Sequence, residues 1–248
     1  MNNSSWFQLR RSRLMTLVCL LASALVFRIP ELSAQTELPY RDPKRSIEER
    51  VRDLLSRMTL EEKVAQTMCL WMEKPNDNTG VPKELLPLGG SFSPALAKEK
   101  MPFGIGQFAR QREARNALRA AEYANAVQKW AVENTRLGIP VTFHDEILHG
   151  NMGEGATVFP VPVALAASWD IDLVRRIFET GARQTRVRGS HHVLGPNMDL
   201  ARDPRWGRTE ETYGEDPFLA SEMVVAVVKE CKPVFSCNGY CRFAPACG

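Results

Sequence analysis

Two groups of side chains in this sequence have the types and spacing to do chemistry. The first is His144-Asp145-Glu146, which follows directly on Ile139-Pro-Val-Thr-Phe143, a short apolar run rich in β-branched residues and bounded by turn formers. A carboxylate at the end of such a run can accept paired hydrogen bonds from adjacent hydroxyls, as on a sugar, and charge-assisted bonds of this kind are roughly twice as strong as neutral ones. Asp145 and Glu146 also suit a plainer task, capping the turn that follows, and spacing leaves both readings open. The second group is Ala201-Arg-Asp-Pro-Arg-Trp-Gly-Arg208, reached through Val193-Leu-Gly-Pro-Asn-Met-Asp-Leu200. Arg208 can hold a hydroxyl pair with its planar donor fork, and Trp206 can stack on a ring face or pack beneath the loop. Glu210, Glu211, Glu215 and Asp216 are placed to orient the arginines, the alternative being a solvated charge run ahead of a helix.

Metal chemistry is not supported. Cys231, Cys237, Cys241 and Cys247 crowd the last residues without a Cys-x-x-Cys knuckle, and His144, His149, His191 and His192 fall on unrelated segments. Gly104-Ile-Gly106 lacks the third glycine and the downstream acid of a dinucleotide fingerprint.

The elements that must position these groups are legible in part. Ser46-Ile-Glu-Glu49 and Thr59-Leu-Glu-Glu62 are capping boxes that predict two short helices meeting at Arg57-Met58, the first with Val51, Leu54 and Leu55 on one face, the second running through Val64, Ala65 and Met68. Pro75 to Gly106 is punctuated by prolines and paired glycines and reads as a long irregular connection on the surface. Arg112 to Thr135 is the longest helical pattern, with Ala117, Ala121, Ala124, Val127 and Ala131 on a narrow face that implies close packing on a sheet. Ile139–Phe143 reads as a buried strand. Asp170 caps a helix to about Arg188, Val193-Leu194 begins another strand, and Asp216-Pro217 opens a last helix carrying Leu219, Met223, Val224 and Val227. Helices alternating with single buried strands predict an α/β fold with a parallel sheet, and strands ending in polar clusters suit a (β/α) barrel, whose ligand groups stand at the C-terminal strand ends.

Composition sets the outer bounds. With 248 residues, 44% hydrophobic and 25% charged, the chain is an ordinary globular sequence. Arg10, Arg11 and Arg13 precede the apolar run Leu14 to Phe27, which is shorter than the ~20 residues of a membrane-spanning helix and reads as an export signal cleaved after Ala34, with Ala24 as a second site. Removing Arg10, Arg11, Arg13, Arg28 and Glu31 with it takes the formal charge of +3 to zero. A neutral domain without a basic stripe gives no reason to expect nucleic acid or anionic lipid as a partner, and after signal removal no membrane.

Three blocks together resemble glycoside hydrolase family 3: Leu137-Gly-Ile-Pro-Val-Thr-Phe-His-Asp-Glu-Ile-Leu-His-Gly150; Gly155-Ala-Thr-Val-Phe-Pro160 onward to Ser168-Trp-Asp170; and Ala201 to Arg208 through Glu211 to Glu215-Asp-Pro217. The stretch Arg57-Met-Thr-Leu-Glu-Glu-Lys-Val-Ala-Gln66 is similar to the start of the same family's barrel domain, and the resemblance covers about Tyr40 to Val228. It implies a partial (β/α)8 TIM-type barrel over residues 35–228, after a signal at 1–34 and before a divergent cysteine-rich tail at 229–248. It also implies hydrolysis of terminal β-linked glucosyl or xylosyl residues with retention, β-glucosidase before β-xylosidase, acting on a β-linked oligosaccharide or glycoside in the periplasm or outside the cell. Glu146 matches the acid that binds hydroxyls of the terminal sugar, Arg208 the arginine that helps hold the same ring, and Glu211 that arginine's structural partner. His149 matches an architectural position.

Retention requires one carboxylate to attack the anomeric carbon and another to protonate the leaving oxygen. By the resemblance, the nucleophilic aspartate in its Ser-Asp-Trp type context, and the acid/base, would follow the last matching helix, so no catalytic residue is assigned here. After Val228 the sequence departs from the family, and a shifted frame or gene fragment is the expectation. The chain would then be an inactive fragment, or alternatively a non-catalytic carbohydrate-binding protein. No cofactor and no metal is implied, since this chemistry uses carboxylates and water.

Overall fold

The chain is described by a computed structural model over residues 38–71 and 90–235, with 232, 233 and 235 described by their backbone alone. The expected signal, residues 75–89 of the proline-rich connection, and Cys237, Cys241 and Cys247 lie outside the described residues.

The chain divides into two compact units at Arg57 and Met58. In the first, the Ser46 hydroxyl accepts from the Glu49 amide at 3.2 Å while the Glu49 carboxylate accepts from the Ser46 amide at 3.0 Å, and this capping box opens α1, Ile47–Arg57. Asp53 holds the unit together by accepting from the Tyr40 amide at 3.1 Å and pairing with Arg57 at 2.9 Å. No residue of α1 is buried, so the face carrying Val51 and Leu55 stands open.

The second unit carries the sheet. A complete capping box between Thr59 and Glu62 opens α2, Leu60–Thr67, and the Glu62 carboxylate also pairs with Arg136. There follow β1 (Cys69–Trp71), α3 (Pro94–Lys100), β2 (Gln107–Ala109), α4 (Ala117–Asn134), β3 (Thr142–Glu146), α5 (Pro162–Ala166), α6 (Ile171–Arg186), β4 (His192–Leu194) and α7 (Pro217–Phe235). The four strands pair in parallel in the order β1-β2-β3-β4, which is their order along the chain. Strands added one after another in the same direction, with helical crossovers between them, are what a (β/α) barrel requires, and the fold is a partial barrel of that type. At Gly106 a Cβ would lie 2.1 Å from the Gln66 carbonyl oxygen, so the close approach of α2 to the start of β2 needs glycine.

Alternate residues of each strand face opposite ways. Leu70, Phe108 and Phe143 enter a core with Tyr123, Val127 and Trp130 of α4. A second core joins Val174, Phe178 and Ala182 of α6 to Met223 and Val227 of α7, with Ile147 and Val193. Arg175 and Glu230 tie the same two helices at 2.8 Å, and Cys231 is buried between them, so α7 continues past Val228. Among the described residues no helix is long and apolar enough to cross a membrane.

Several boundaries differ from expectation for physical reasons. The strand expected at Ile139–Phe143 runs from Thr142 to Glu146. Pro140 offers no N–H, and the Val141 backbone is satisfied by the Gln128 amide, donating at 2.9 Å and accepting at 2.5 Å. The helix expected from Arg112 starts at Ala117, capped by the Asn116 side chain. Its buried face is wider than the alanine stripe, because Tyr123 and Trp130 join it. The connection expected to be irregular up to Gly106 contains α3, and its Met101 and Ile105 enter the first core.

Candidate functional site

The site forms where the C-terminal ends of β1, β2 and β3 lie side by side. His144 and Glu146 share the face opposite the α4 core; His144 is in register with Ala109 of β2 and, beyond it, Trp71 of β1, and Glu146 with Leu194 of β4. Asp145, between them, points the other way and is fully buried. It forms an ion pair with Arg112 and accepts from Asn151 at 3.2 Å, from Ser190 at 3.5 Å and from the Glu146 amide at 2.9 Å. Asn151 also donates to Thr185 at 2.9 Å, and Gln111 donates to Ser190 at 2.6 Å. Asp145 is therefore a buried anchor that fastens the end of β3 to the loop after β2 and to α6. Of the two acids, only Glu146 is left facing open space, with its side chain 25% exposed.

Glu146 is paired with Arg110, the residue immediately after β2. The Arg110 guanidinium lies 4.7 Å from the centre of the Trp71 ring, donates to Glu113 at 3.3 Å, and belongs to a residue with φ of 55°. On the same face of β3 as Glu146 lies the buried His144, whose Nδ1 is 3.1 Å from the Gln107 side-chain oxygen. Burial, reinforced by His192, pushes the His144 imidazole down to about 4, so the ring is neutral at pH 7. Burial likewise pushes the Cys69 thiol up to about 11, which keeps it protonated and unreactive.

Arg208 arrives from the loop after β4. A turn at Pro204–Trp206 is ended by Gly207, whose φ of 87° reverses the chain ahead of Arg208. The guanidinium forks onto one oxygen of Glu211, with distances of 3.0 and 2.5 Å, and this contact raises its pKa, helped by the nearby carboxylates of Glu146 and Asp199. Arg208 thus feels the charge of Glu146 while each is held by another partner, Glu146 by Arg110 and Arg208 by Glu211. Of the other acids expected to orient the arginines, Glu210 and Glu215 are exposed and Asp216 accepts from the Phe218 amide to cap α7. Arg205 is paired instead with Asp203, at 2.6 Å. Trp206 is exposed on the same loop.

His149 is half-buried, and its carbonyl accepts from the Phe159 amide at 2.8 Å, closing the loop that follows β3. Sequence reasoning missed Trp71, Arg110, Arg112, Asn151 and Ser190. The signal available was the cluster Arg110-Gln-Arg-Glu-Ala-Arg115 just after an apolar run, which reads as the charged first turn of a helix.

A parallel half-barrel with its polar groups gathered at the C-terminal strand ends defines the class as a barrel enzyme domain. Residues 59–233 match the glycosyl hydrolase family 3 N-terminal domain, and the chain belongs to that family. It is 36% identical to β-glucosidase C of Emericella nidulans over 232 residues, covering 88% of this chain and 36% of that protein. It is 33% identical to the periplasmic β-glucosidase/β-xylosidase of Dickeya chrysanthemi over 195 residues, covering 75% of this chain and 29% of that protein. Among solved structures, a β-glucosidase from Erythrobacter marinus superposes with a TM-score of 0.65 at 34% identity, over 79% of this chain and 24% of that one. The chain therefore spans about a quarter to a third of the relatives it matches.

Proposed function

We propose that this chain forms the sugar-holding wall of a retaining β-glycosidase site, in which Glu146 and Arg208 bind hydroxyls of a terminal β-linked glucosyl or xylosyl residue. The observation that carries the reading is the division of labour at the end of β3. Asp145 is locked inward against Arg112, and Glu146 is turned outward at a barrel strand end, within electrostatic reach of Arg208. The names of the two relatives, β-glucosidase and β-glucosidase/β-xylosidase, support the choice of sugars.

Holding and cleaving are separate tasks here. Retention needs two carboxyl groups roughly 5–5.5 Å apart across the scissile bond, one to attack and one to donate a proton. Asp145 and Glu146 are successive strand residues facing opposite ways, and the fully buried Asp145 has no access to a sugar. Asp145 and Glu146 therefore do not form such a pair, and hydrolysis is proposed only for the family's whole catalytic unit. Export to the periplasm or beyond is proposed on the charged and apolar pattern before Ala34 and on the periplasmic Dickeya relative.

The test is to incubate the purified chain with aryl β-glucoside and aryl β-xyloside while titrating parallel samples with glucose and xylose. Monosaccharide binding without release of the aryl group is expected. Release by the chain alone would contradict the separation of holding from cleaving, and absence of binding would contradict the sugar-holding role.

A further inference from the structure

Resting on that reading of Glu146, we propose that Arg110 is the positioning residue of the site: it fixes the Glu146 carboxylate in the orientation that receives the sugar hydroxyls, acting through Glu146 rather than on the sugar.

Three neighbouring strand ends build the arrangement. The parallel register sets Trp71 of β1 beside Ala109 of β2, and Ala109 beside His144 of β3. Arg110, one residue further on, donates its backbone N–H to the His144 carbonyl at 3.0 Å, which extends the ladder by one bond and stations Arg110 next to the last residues of β3. Its φ of 55° lies in the left-handed region, which a side chain other than glycine rarely occupies unless the surroundings impose it. The consequence is a guanidinium seated 4.7 Å from the Trp71 ring centre, with one end on Glu113 and the other on Oε2 of Glu146. The Trp71 face and Glu113 together hold the fork on both sides, so its position is set before any ligand arrives.

Glutamate needs such help. Its terminal carboxylate torsion is broad, and an unsupported side chain loses rotamer freedom when a ligand pins it. By engaging Oε2, Arg110 settles that freedom in advance. The side chains of Arg110 and Glu146 are similarly accessible, 23% and 25% exposed, so the pair sits at the wall of the site rather than beneath it. Asp145 cannot substitute, being engaged on the other face with Arg112.

The experiment is a double-mutant cycle on the full chain, with glucose affinity read by ligand-observed NMR for wild type, Arg110→Met, Glu146→Gln and the double variant. Near-UV circular dichroism checks that each variant keeps its aromatic packing. Arg110→Met is expected to weaken glucose binding about tenfold, and to cost nothing further in the Glu146→Gln background. Millimolar guanidinium should restore part of the lost affinity in Arg110→Ala and leave Glu146→Gln unchanged. Equal losses in both backgrounds would overturn the proposal, showing that Arg110 touches the sugar itself or merely supports the fold. No loss in the wild-type background, or no rescue by guanidinium, would overturn it as well. If Glu146→Gln alone binds glucose like wild type, the sugar-holding role of Glu146 fails and this proposal falls with it, whereas a normal loss in Glu146→Gln with a silent Arg110→Met fails the proposal alone.

Discussion

Consecutive residues at the end of β3 face opposite ways, and this alternation decides what each side chain can do. Asp145 turns into the helix layer and becomes the centre of a buried network with Arg112, Asn151 and Ser190, while Glu146 turns out. Replacing Asp145 with Asn leaves Arg112 charged, buried and without its partner, so the variant is expected to lose about 3–5 kcal/mol of stability, read as a lower urea midpoint at unchanged slope. A midpoint within error of wild type would show that the network is not an anchor. His144 gives a second prediction. Its imidazole is held at about 4 against an ordinary 6.5 by burial, so between these values the unfolded chain binds the extra proton. The His144 contribution is therefore fully present above pH 6.5 and is lost as the pH falls toward about 4. His191, also lowered by burial, acts in the same sense. Urea midpoints measured from pH 7 to 4 should fall for the wild type and fall less for His144→Gln.

At the scale of elements, both capping boxes, the Asp170 cap on α6 and the opening of α7 at Pro217 could be read directly, because a cap is a local signal of four residues. So could the placement of Glu146 at a strand end. The strands β1 and β2 could not: β1 begins two residues after α2 ends and β2 directly after the proline- and glycine-punctuated stretch, so neither three-residue strand is set off as a run of its own. Nor could the arginines after β2: a run of charged residues ahead of a helix looks solvated, and only the left-handed turns at Arg110 and Ala114 send Arg112 and Arg115 inward. The loop after β3 has a demand of its own. At Gly150, φ is 103° and a Cβ would meet the Thr157 carbonyl at 2.2 Å, so Gly150→Ala is strained in both respects. The variant is expected to lose about 1–3 kcal/mol in urea unfolding. It should also weaken sugar binding, because the loop carries Asn151, which holds Asp145 in place. An unperturbed midpoint would contradict that account.

For the molecule as a whole, the described part of the sheet has β1 and β4 at its margins, and apolar side chains stand open beside it. Leu60 and Val64 of α2 and Met68, the residue that caps its C-terminus, recur every four residues and are 72%, 52% and 50% exposed. Such a stripe drives association, so the 248-residue chain should self-associate with rising concentration in sedimentation velocity, and Leu60→Lys with Val64→Glu should suppress this without altering sugar affinity. A wild-type chain that stays monomeric throughout would contradict it. Above all, we propose that one carboxylate at a barrel strand end, Glu146, and one arginine from the loop after β4, Arg208, hold a sugar ring. The most direct measurement is a glucose titration of wild type against Glu146→Gln and Arg208→Met, each checked for retained fold. The account predicts saturable binding to the wild type and at least a tenfold loss in each variant; binding that survives both substitutions unchanged would mean that the sugar is held elsewhere.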